Sequence, residues 1–142
     1  MSEFYERLHE LMVVKRISCA QLSASTNIPI AAIYSWLRAE HEPNAEYLLA
    51  AASLFGCSLD FLLGLSDNDA PIVRGRRLSA FPARLQEVMR ERRITEYRLC
   101  KDTGLSRARF YDWKSGRRYP HVDNLLLICQ YLDCSADALF YG

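Results

Sequence analysis

Positively charged side chains are concentrated in one short stretch of the sequence, between residues 107 and 118. The members of this cluster are Arg107, Arg109, Lys114, Arg117 and Arg118. A guanidinium group pairs with phosphate oxygens and can bridge the O6 and N7 atoms of guanine, so the stretch has the chemistry of an anion- or base-binding surface. The alternative is a charged face that contacts solvent alone.

Catalytic and metal-binding sets are not indicated elsewhere in the sequence. No paired carboxylates, nucleophile with a base or glycine-rich phosphate loop stands at a workable spacing, so we do not expect an enzyme. The chain has five cysteines without C-x-x-C spacing and three histidines that do not complement them. We therefore expect buried free thiols and neither a metal nor another cofactor.

Length and composition are those of a globular protein. The chain has 142 residues, of which 50% are hydrophobic and 25% charged, with a net charge of +1. This length allows one ordinary domain or two small ones. No apolar run reaches the roughly 18–20 residues of a membrane span, and the N-terminus lacks the pattern of a signal peptide. We expect a soluble cytoplasmic chain that does not contact membranes.

The sequence matches itself when it is shifted by 77 residues. Roughly 19 of 62 paired positions are then identical, and Trp36 falls on Trp113 while Pro43 falls on Pro120. A shared helical register would preserve hydrophobicity, but it would not keep tryptophan and proline in step. The predicted organisation is two tandem units with a basic linker between them: residues 1–65, 66–80 and 81–142.

Each unit is predicted to consist of five short helices without a strand. Ser18 followed by Gln21 is typical of a capping box at the second helix, and Thr95 takes the place of Ser18 in the second unit. Asn27 and Gly104 occupy equivalent positions directly after that helix in the two units. Both residue types tolerate a left-handed conformation.

The remaining helices of each unit follow from apolar spacing and further caps. Trp36 and Trp113 are expected to face the core from the third helix. A fourth helix is predicted over residues 45–55 and 122–132. Ser58 and Ser135 are expected to cap a last short helix.

Two segments carry a resemblance to a known family. The segments are "PNAEYLLAAASLFGCSLDFLLG" in the first unit and "TEYRLCKDTGLSRARFYDWKSGRRYP" in the second. Together with the order of helices and turns, they resemble the phage-repressor/Cro (Xre-type) helix-turn-helix family. The resemblance implies an all-α, lambda-repressor-like fold in two tandem five-helix domains. It also implies recognition helices that enter the major groove of double-stranded DNA, and a bacterial, phage or mobile-element origin.

The resemblance assigns the DNA contacts of the second unit to its third helix and the loop after it. The residues concerned are Ser106, Arg107, Ala108, Arg109, Asp112, Lys114, Ser115, Arg117 and Arg118. The first arginines would contact bases, and the serines and loop arginines would contact phosphates. Asp112 could accept from cytosine or orient a neighbouring arginine. Lys114 has no expected partner and should reach solvent or a phosphate.

The equivalent front of the first unit is mostly apolar. Its residues are Pro29, Ile30, Ala31, Ser35 and Arg38, with Ala32 beside them. Ile30 and Ala31 could contact thymine methyl groups in DNA. Otherwise this front is a protein contact, such as a dimer interface, or inert.

Charge distinguishes the two units. Residues 4–65 contain four basic and six acidic residues, whereas residues 81–142 contain eleven basic and eight acidic ones. Because lysine and arginine supply most of the affinity for DNA, the second unit is expected to be the main DNA reader. The linker segment Arg74–Arg77 either follows a minor groove or is solvated. Fifteen linker residues reach at most about 50 Å, enough for both units to bind half-sites about 34 Å apart.

The leading hypothesis is a sequence-specific DNA-binding regulator of transcription, a repressor by analogy with the family, associated with the nucleoid. The alternative is a protein-interaction adaptor, antirepressor or antitoxin that uses the helix-turn-helix scaffold to dock a partner. No small-molecule effector is expected, and a homodimer is left open.

Overall fold

A computed structural model describes residues 3–67 and 75–141 of the chain. Within these residues the secondary structure is helical, with two isolated backbone bridges and no strand. The N-terminal half contains α1 (Phe4–Lys15), α2 (Cys19–Thr26), α3 (Ile30–Leu37), α4 (Ala45–Phe55) and α5 (Leu59–Leu62). The C-terminal half contains α6 (Phe81–Glu91), α7 (Glu96–Thr103), α8 (Arg107–Ser115) and α9 (Val122–Leu132), with 3-10 helices at Leu78–Ala80 and Asp137–Phe140. The predicted all-α class is thus confirmed for the described residues.

The helices of the two halves recur at a spacing of 77 residues. Helices α2 and α7 begin and end at positions 77 apart, and so do α4 and α9, which have the bounds predicted from the sequence. Helices α1 and α6 start 77 residues apart, as do α3 and α8, and each of these pairs differs by one residue at its end.

The last element of the C-terminal half differs from the prediction. Ser135 does accept a hydrogen bond from the Ala138 N–H at 3.0 Å, but Asp137–Phe140 forms a 3-10 helix. The backbone of Phe140 accepts from the Arg77 N–H at 2.7 Å, and Tyr141 is extended. The chain therefore pairs with the linker segment at the point where another α-helical turn would have to form.

Local capping signals in the sequence correspond to caps in the structure. Ser18 and Gln21 form a capping box, in which Ser18 Oγ accepts from the Gln21 N–H and Gln21 Oε1 accepts from the Ser18 N–H. Asn27 and Gly104 adopt left-handed conformations, with φ of 62° and 79°. Each second helix is therefore ended by the residue type that its turn requires.

Aromatic side chains anchor the core of each half. Trp36 is buried and makes an edge-on contact with Phe4, their ring centroids lying 5.7 Å apart. In the other half Phe81 stacks on Phe140 at 5.3 Å, and Trp113 is equally buried. The two tryptophans are core residues, as predicted.

The cysteines are free thiols. Cys57, Cys100 and Cys129 are buried, whereas Cys19 and Cys134 are half-buried, so complete burial was predicted correctly for three of five. Burial raises the pKa of the Cys57 thiol to about 11. In the described part of the chain, His, Cys, Asp and Glu side chains form no group of three that could hold a metal ion.

The two halves contact each other through backbone groups and two carboxylates. Asp137 accepts hydrogen bonds from the N–H groups of Leu59 at 2.9 Å and Asp60 at 3.2 Å. Asp60 in turn accepts from the Ala136 N–H at 2.7 Å. The first N–H groups of a helix have no partner within that helix. Each carboxylate accepts from such N–H groups at the start of the last helix in the opposite half.

A second contact between the halves lies where their fourth helices begin. Asn44 and His121, the N-cap residues of α4 and α9, form an isolated antiparallel bridge. Beside it, the Val122 N–H donates to the Pro43 carbonyl at 3.3 Å.

The end of the linker is packed against the C-terminal half. Arg76 forms an ion pair with Asp137 at 2.9 Å, and their side chains are only 5% and 10% exposed. Both expectations for this residue, minor-groove binding and a solvated linker, are therefore wrong, because its guanidinium group is buried on a protein carboxylate. Arg74 lies outside the described residues.

No helix among residues 3–67 and 75–141 has the length and apolar composition to cross a bilayer.

Candidate nucleic-acid interface

Helices α7 and α8 are joined by a tight turn that fixes the direction of α8. Gly104 ends α7 in the left-handed conformation, and its N–H donates to the Cys100 carbonyl at 2.9 Å. Thr103 Oγ1 donates to the Leu99 carbonyl at 2.6 Å, and Leu105 is buried. The turn is therefore fixed by the left-handed conformation of Gly104 and by the buried side chain of Leu105.

Helix α8 begins at a side-chain cap and packs one face on the core. Ser106 Oγ accepts from the Arg109 N–H at 3.1 Å. Phe110 and Trp113, three residues apart, are buried. Because these residues fix the inner face, the residues at the start of α8 point outward, and Arg107, Ala108 and Arg109 are exposed.

The nine residues predicted to contact DNA lie on α8 and the segments that flank it. Seven are exposed: Ser106, Arg107, Ala108, Arg109, Ser115, Arg117 and Arg118. Asp112 and Lys114 are half-buried. We refer to these nine residues as the α8 face.

Lys114 has a protein partner, contrary to the expectation from the sequence. Its Nζ atom lies 3.2 Å from Glu96 Oε2, and Arg107 lies 3.9 Å from the other carboxylate oxygen. Glu96, at the start of α7, thus stands between two cations of α8. The sequence alone does not predict these pairs, because they depend on how α7 packs against α8.

Asp112 shapes the loop that follows α8. Its backbone carbonyl accepts from the N–H groups of Arg117 at 2.9 Å and Arg118 at 3.1 Å. Its carboxylate lies 3.9 Å from Arg118 Nε. This geometry favours the interpretation in which Asp112 orients a neighbouring arginine.

The front of the N-terminal half has few free polar groups. Pro29, Ile30 and Ala31 are exposed, and α3 begins without a side-chain cap. Ser35 Oγ lies 2.7 Å from His41 Nδ1, and Arg38 forms an ion pair with Glu40. Ser35 and Arg38 are therefore each paired with a side chain of the segment that follows α3.

This front is separate from the contact between the halves described above. That contact uses residues at the starts of α4, α5 and α9 and of the last 3-10 helix. Among the described residues, α3 takes no part in the hydrogen bonds and the bridge between the halves.

Comparison with known protein families gives a match in the C-terminal half. Residues 84–140 match the family model described as the Cro/C1-type HTH DNA-binding domain. The matched range extends from α6 to the last 3-10 helix and contains the whole α8 face. Neither the curated proteins nor the solved structures give a significant match. A Cro/C1-type helix-turn-helix is therefore supported for the C-terminal half.

Proposed function

We propose that the chain is a sequence-specific DNA-binding regulator of transcription and that the α8 face is its main DNA contact. The observation that carries the proposal is the arrangement of Arg107 and Arg109 on the outer side of a capped helix whose inner side is buried. The match of residues 84–140 to a DNA-binding domain supports the same conclusion. Repression is the proposed mode, and the bacterial nucleoid is the proposed place of action.

We also propose that residues 1–65 form a second helix-turn-helix domain, joined by residues 66–80 to the domain of residues 81–142. The recurrence of helix starts at a spacing of 77 residues supports this division. So do the left-handed residues Asn27 and Gly104 at the same position of each turn.

Within the α8 face we assign different contacts to its two ends. Arg107 and Arg109, which project from the first turn of α8, contact base edges in the major groove. Arg117 and Arg118 follow the helix and contact phosphates, which hold the protein in register on the duplex.

Salt-dependent binding of the whole chain to duplex DNA tests the proposal. For the double variant Arg117→Ala/Arg118→Ala, the fall of log affinity with log salt should become shallower. We expect the slope to change by about 2, one for each phosphate contact that is lost. The variant Arg107→Ala should cost about 1–3 kcal/mol on a selected site. Arg90→Ala, at an exposed arginine of α6, is the matched control for Arg107→Ala, because both variants lose one positive charge.

The runner-up function is a protein-interaction adaptor, antirepressor or antitoxin. The front of the N-terminal half, with Ile30 exposed and its polar groups paired, is the observation in its favour. An adaptor would be indifferent to salt and to the arginine substitutions in the same experiment. Absence of binding to any duplex at low salt would replace the regulator by the adaptor.

A further inference from the structure

Each half of the chain has an aspartate that accepts a backbone hydrogen bond from the other half. Asp137 binds the N–H groups of Leu59 and Asp60, and Asp60 binds the N–H group of Ala136. Leu59 and Ala136 are 77 positions apart, as are Asp60 and Asp137. Exchanging the halves therefore interchanges the bond from Leu59 to Asp137 and the bond from Ala136 to Asp60. Such an isologous contact is the kind that a two-fold axis generates in a homodimer.

The position of this approximate two-fold axis is marked by Asn44 and His121. These residues are also 77 positions apart, and they pair with each other in an antiparallel bridge. Under a two-fold rotation, only a residue beside the axis can contact its own counterpart. The axis thus passes between the starts of α4 and α9.

Helices α3 and α8 lie on either side of this axis. Helix α3 ends at Leu37 and α8 ends at Ser115, and each is followed by a short loop that leads to a residue of the bridge. Homodimeric helix-turn-helix proteins place one recognition helix in each of two half-sites about 34 Å apart. Within this chain, the same approximate two-fold axis relates α3 to α8.

The side chains at equivalent positions of the two helices differ in chemistry. Ile30 occupies the position of Arg107, and Ala32 occupies that of Arg109. Ile30 is 38% exposed and offers only apolar contact, which suits a thymine methyl group. The arginines offer the paired donors that suit guanine.

We infer that one chain binds, as a pseudo-dimer, an asymmetric duplex site with two unlike half-sites. The α8 half-site contains guanine contacted by Arg107 or Arg109, and the α3 half-site contains thymine whose methyl group contacts Ile30. The inference rests on the proposed function and specifies the class of DNA that it concerns.

Selection of duplexes from a random pool by the full chain, followed by sequencing and native mass measurement, tests the inference. The expected result is two different half-motifs about one helical turn apart, in complexes of one chain per duplex. A palindromic motif bound by two chains, or one isolated half-motif, overturns the inference and leaves the regulator standing. Failure to enrich any duplex overturns the proposed function itself.

Replacement of thymine by deoxyuridine tests which helix reads which half-site, because it removes only the methyl group. In the half-motif without the guanine contact, this change should weaken binding about fourfold, the value of one buried methyl-sized group. The variant Ile30→Ala should be insensitive to the same replacement. The variant Arg107→Ala should bind the selected site about tenfold more weakly and keep its sensitivity to deoxyuridine.

The matched control is Val13→Ala, which truncates an apolar side chain that is 63% exposed on α1 and belongs to neither α3 nor α8. It should keep the affinity and the sensitivity to deoxyuridine of the unaltered chain. If Ile30→Ala retains full sensitivity to deoxyuridine, α3 does not read the second half-site and the inference fails.

Discussion

Among single residues, Glu96 has two effects on the candidate interface, and both oppose the binding of DNA. Its carboxylate holds Lys114 at 3.2 Å and approaches Arg107 to 3.9 Å, so it limits where these cations can reach. It also adds a negative charge beside a surface that we propose for phosphate-rich DNA. The sequence predicted that the arginines of the α8 face lie on the outer side of the helix. It did not predict the ion pair of Glu96 with Lys114, because these two residues lie on different helices.

Removing that charge should strengthen binding to DNA. We expect Glu96→Gln to release Lys114 for phosphate contact and to raise affinity for random duplex DNA severalfold at low salt, with a salt slope steeper by about 1. Fluorescence anisotropy over a salt series measures both quantities. Glu91→Gln, at the end of α6, changes the net charge equally and should alter the slope less. Equal effects of the two variants would mean that net charge alone, and not the position of Glu96, matters.

Asp102 and Tyr131 form a second residue-scale feature, which links α7 to α9. The Tyr131 hydroxyl donates to Asp102 Oδ2 at 2.6 Å and Arg98 Nε donates to the same atom at 3.0 Å. The Tyr131 hydrogen bond, followed by the Arg98 contact, lowers the pKa of Asp102. Because the folded-state pKa is the lower one, the link stabilises the fold above the ordinary pKa of aspartate and is lost as the pH falls through the folded-state value.

Tyr131→Phe should therefore raise the pKa of Asp102 toward its ordinary value. An NMR titration of the carboxyl carbon measures the shift directly. Tyr97→Phe, at an exposed tyrosine of the same helix α7, should leave the pKa unchanged. An unaltered Asp102 pKa in the Tyr131 variant would show that Arg98 holds the charge without the hydroxyl.

At the scale of elements, local signals in the sequence gave the helices and their caps. The capping box of Ser18 and the left-handed slots of Asn27 and Gly104 are decided by neighbouring residues, so they could be predicted and are confirmed. The 3-10 helix Asp137–Phe140 was predicted as an ordinary last helix. It could not be foreseen, because its backbone pairs with Arg77, about sixty positions away.

The turn before α8 gives an element-scale prediction. Gly104 has φ of 79°, and a Cβ atom there would have no described heavy atom within 4 Å beyond its chain neighbours, so the cost of a side chain is conformational. Gly104→Ala should lower the free energy of unfolding by about 1 kcal/mol. Gly104→Asn should cost less, since Asn27 takes the same conformation in the other half. Urea unfolding compares the variants, and equal costs would contradict the conformational explanation.

At the scale of the whole molecule, Asp137 connects three parts of the chain. It accepts from the backbone of Leu59 and Asp60 in one half and from Arg76 of the linker segment. A shift of 77 residues aligns Asp60 with Asp137 in the sequence. The sequence could not show that each aspartate binds the opposite half, because this depends on how the halves pack.

Asp137→Ala should destabilise the chain more than the removal of an ordinary salt bridge. It leaves the buried Arg76 guanidinium group and two backbone donors without their acceptor, at a cost of about 3 kcal/mol. Asp67→Ala is the matched control, since its carboxylate also binds an arginine but is 99% exposed, and it should cost less than about 1 kcal/mol. Thermal unfolding compares the two, and equal effects would mean that the Asp137 contacts contribute little.

The reciprocal contact of Asp60 and Asp137 has a consequence for how this molecule can change over generations. In a homodimer, one nucleotide change in the gene alters both partners at once, so a new base preference on one side is imposed on the other. Here both partners of the contact belong to one chain, and each is encoded separately. A substitution at Ile30 leaves Arg107 unaltered, so the base preference that we infer for one helix can change while the preference inferred for the other is kept.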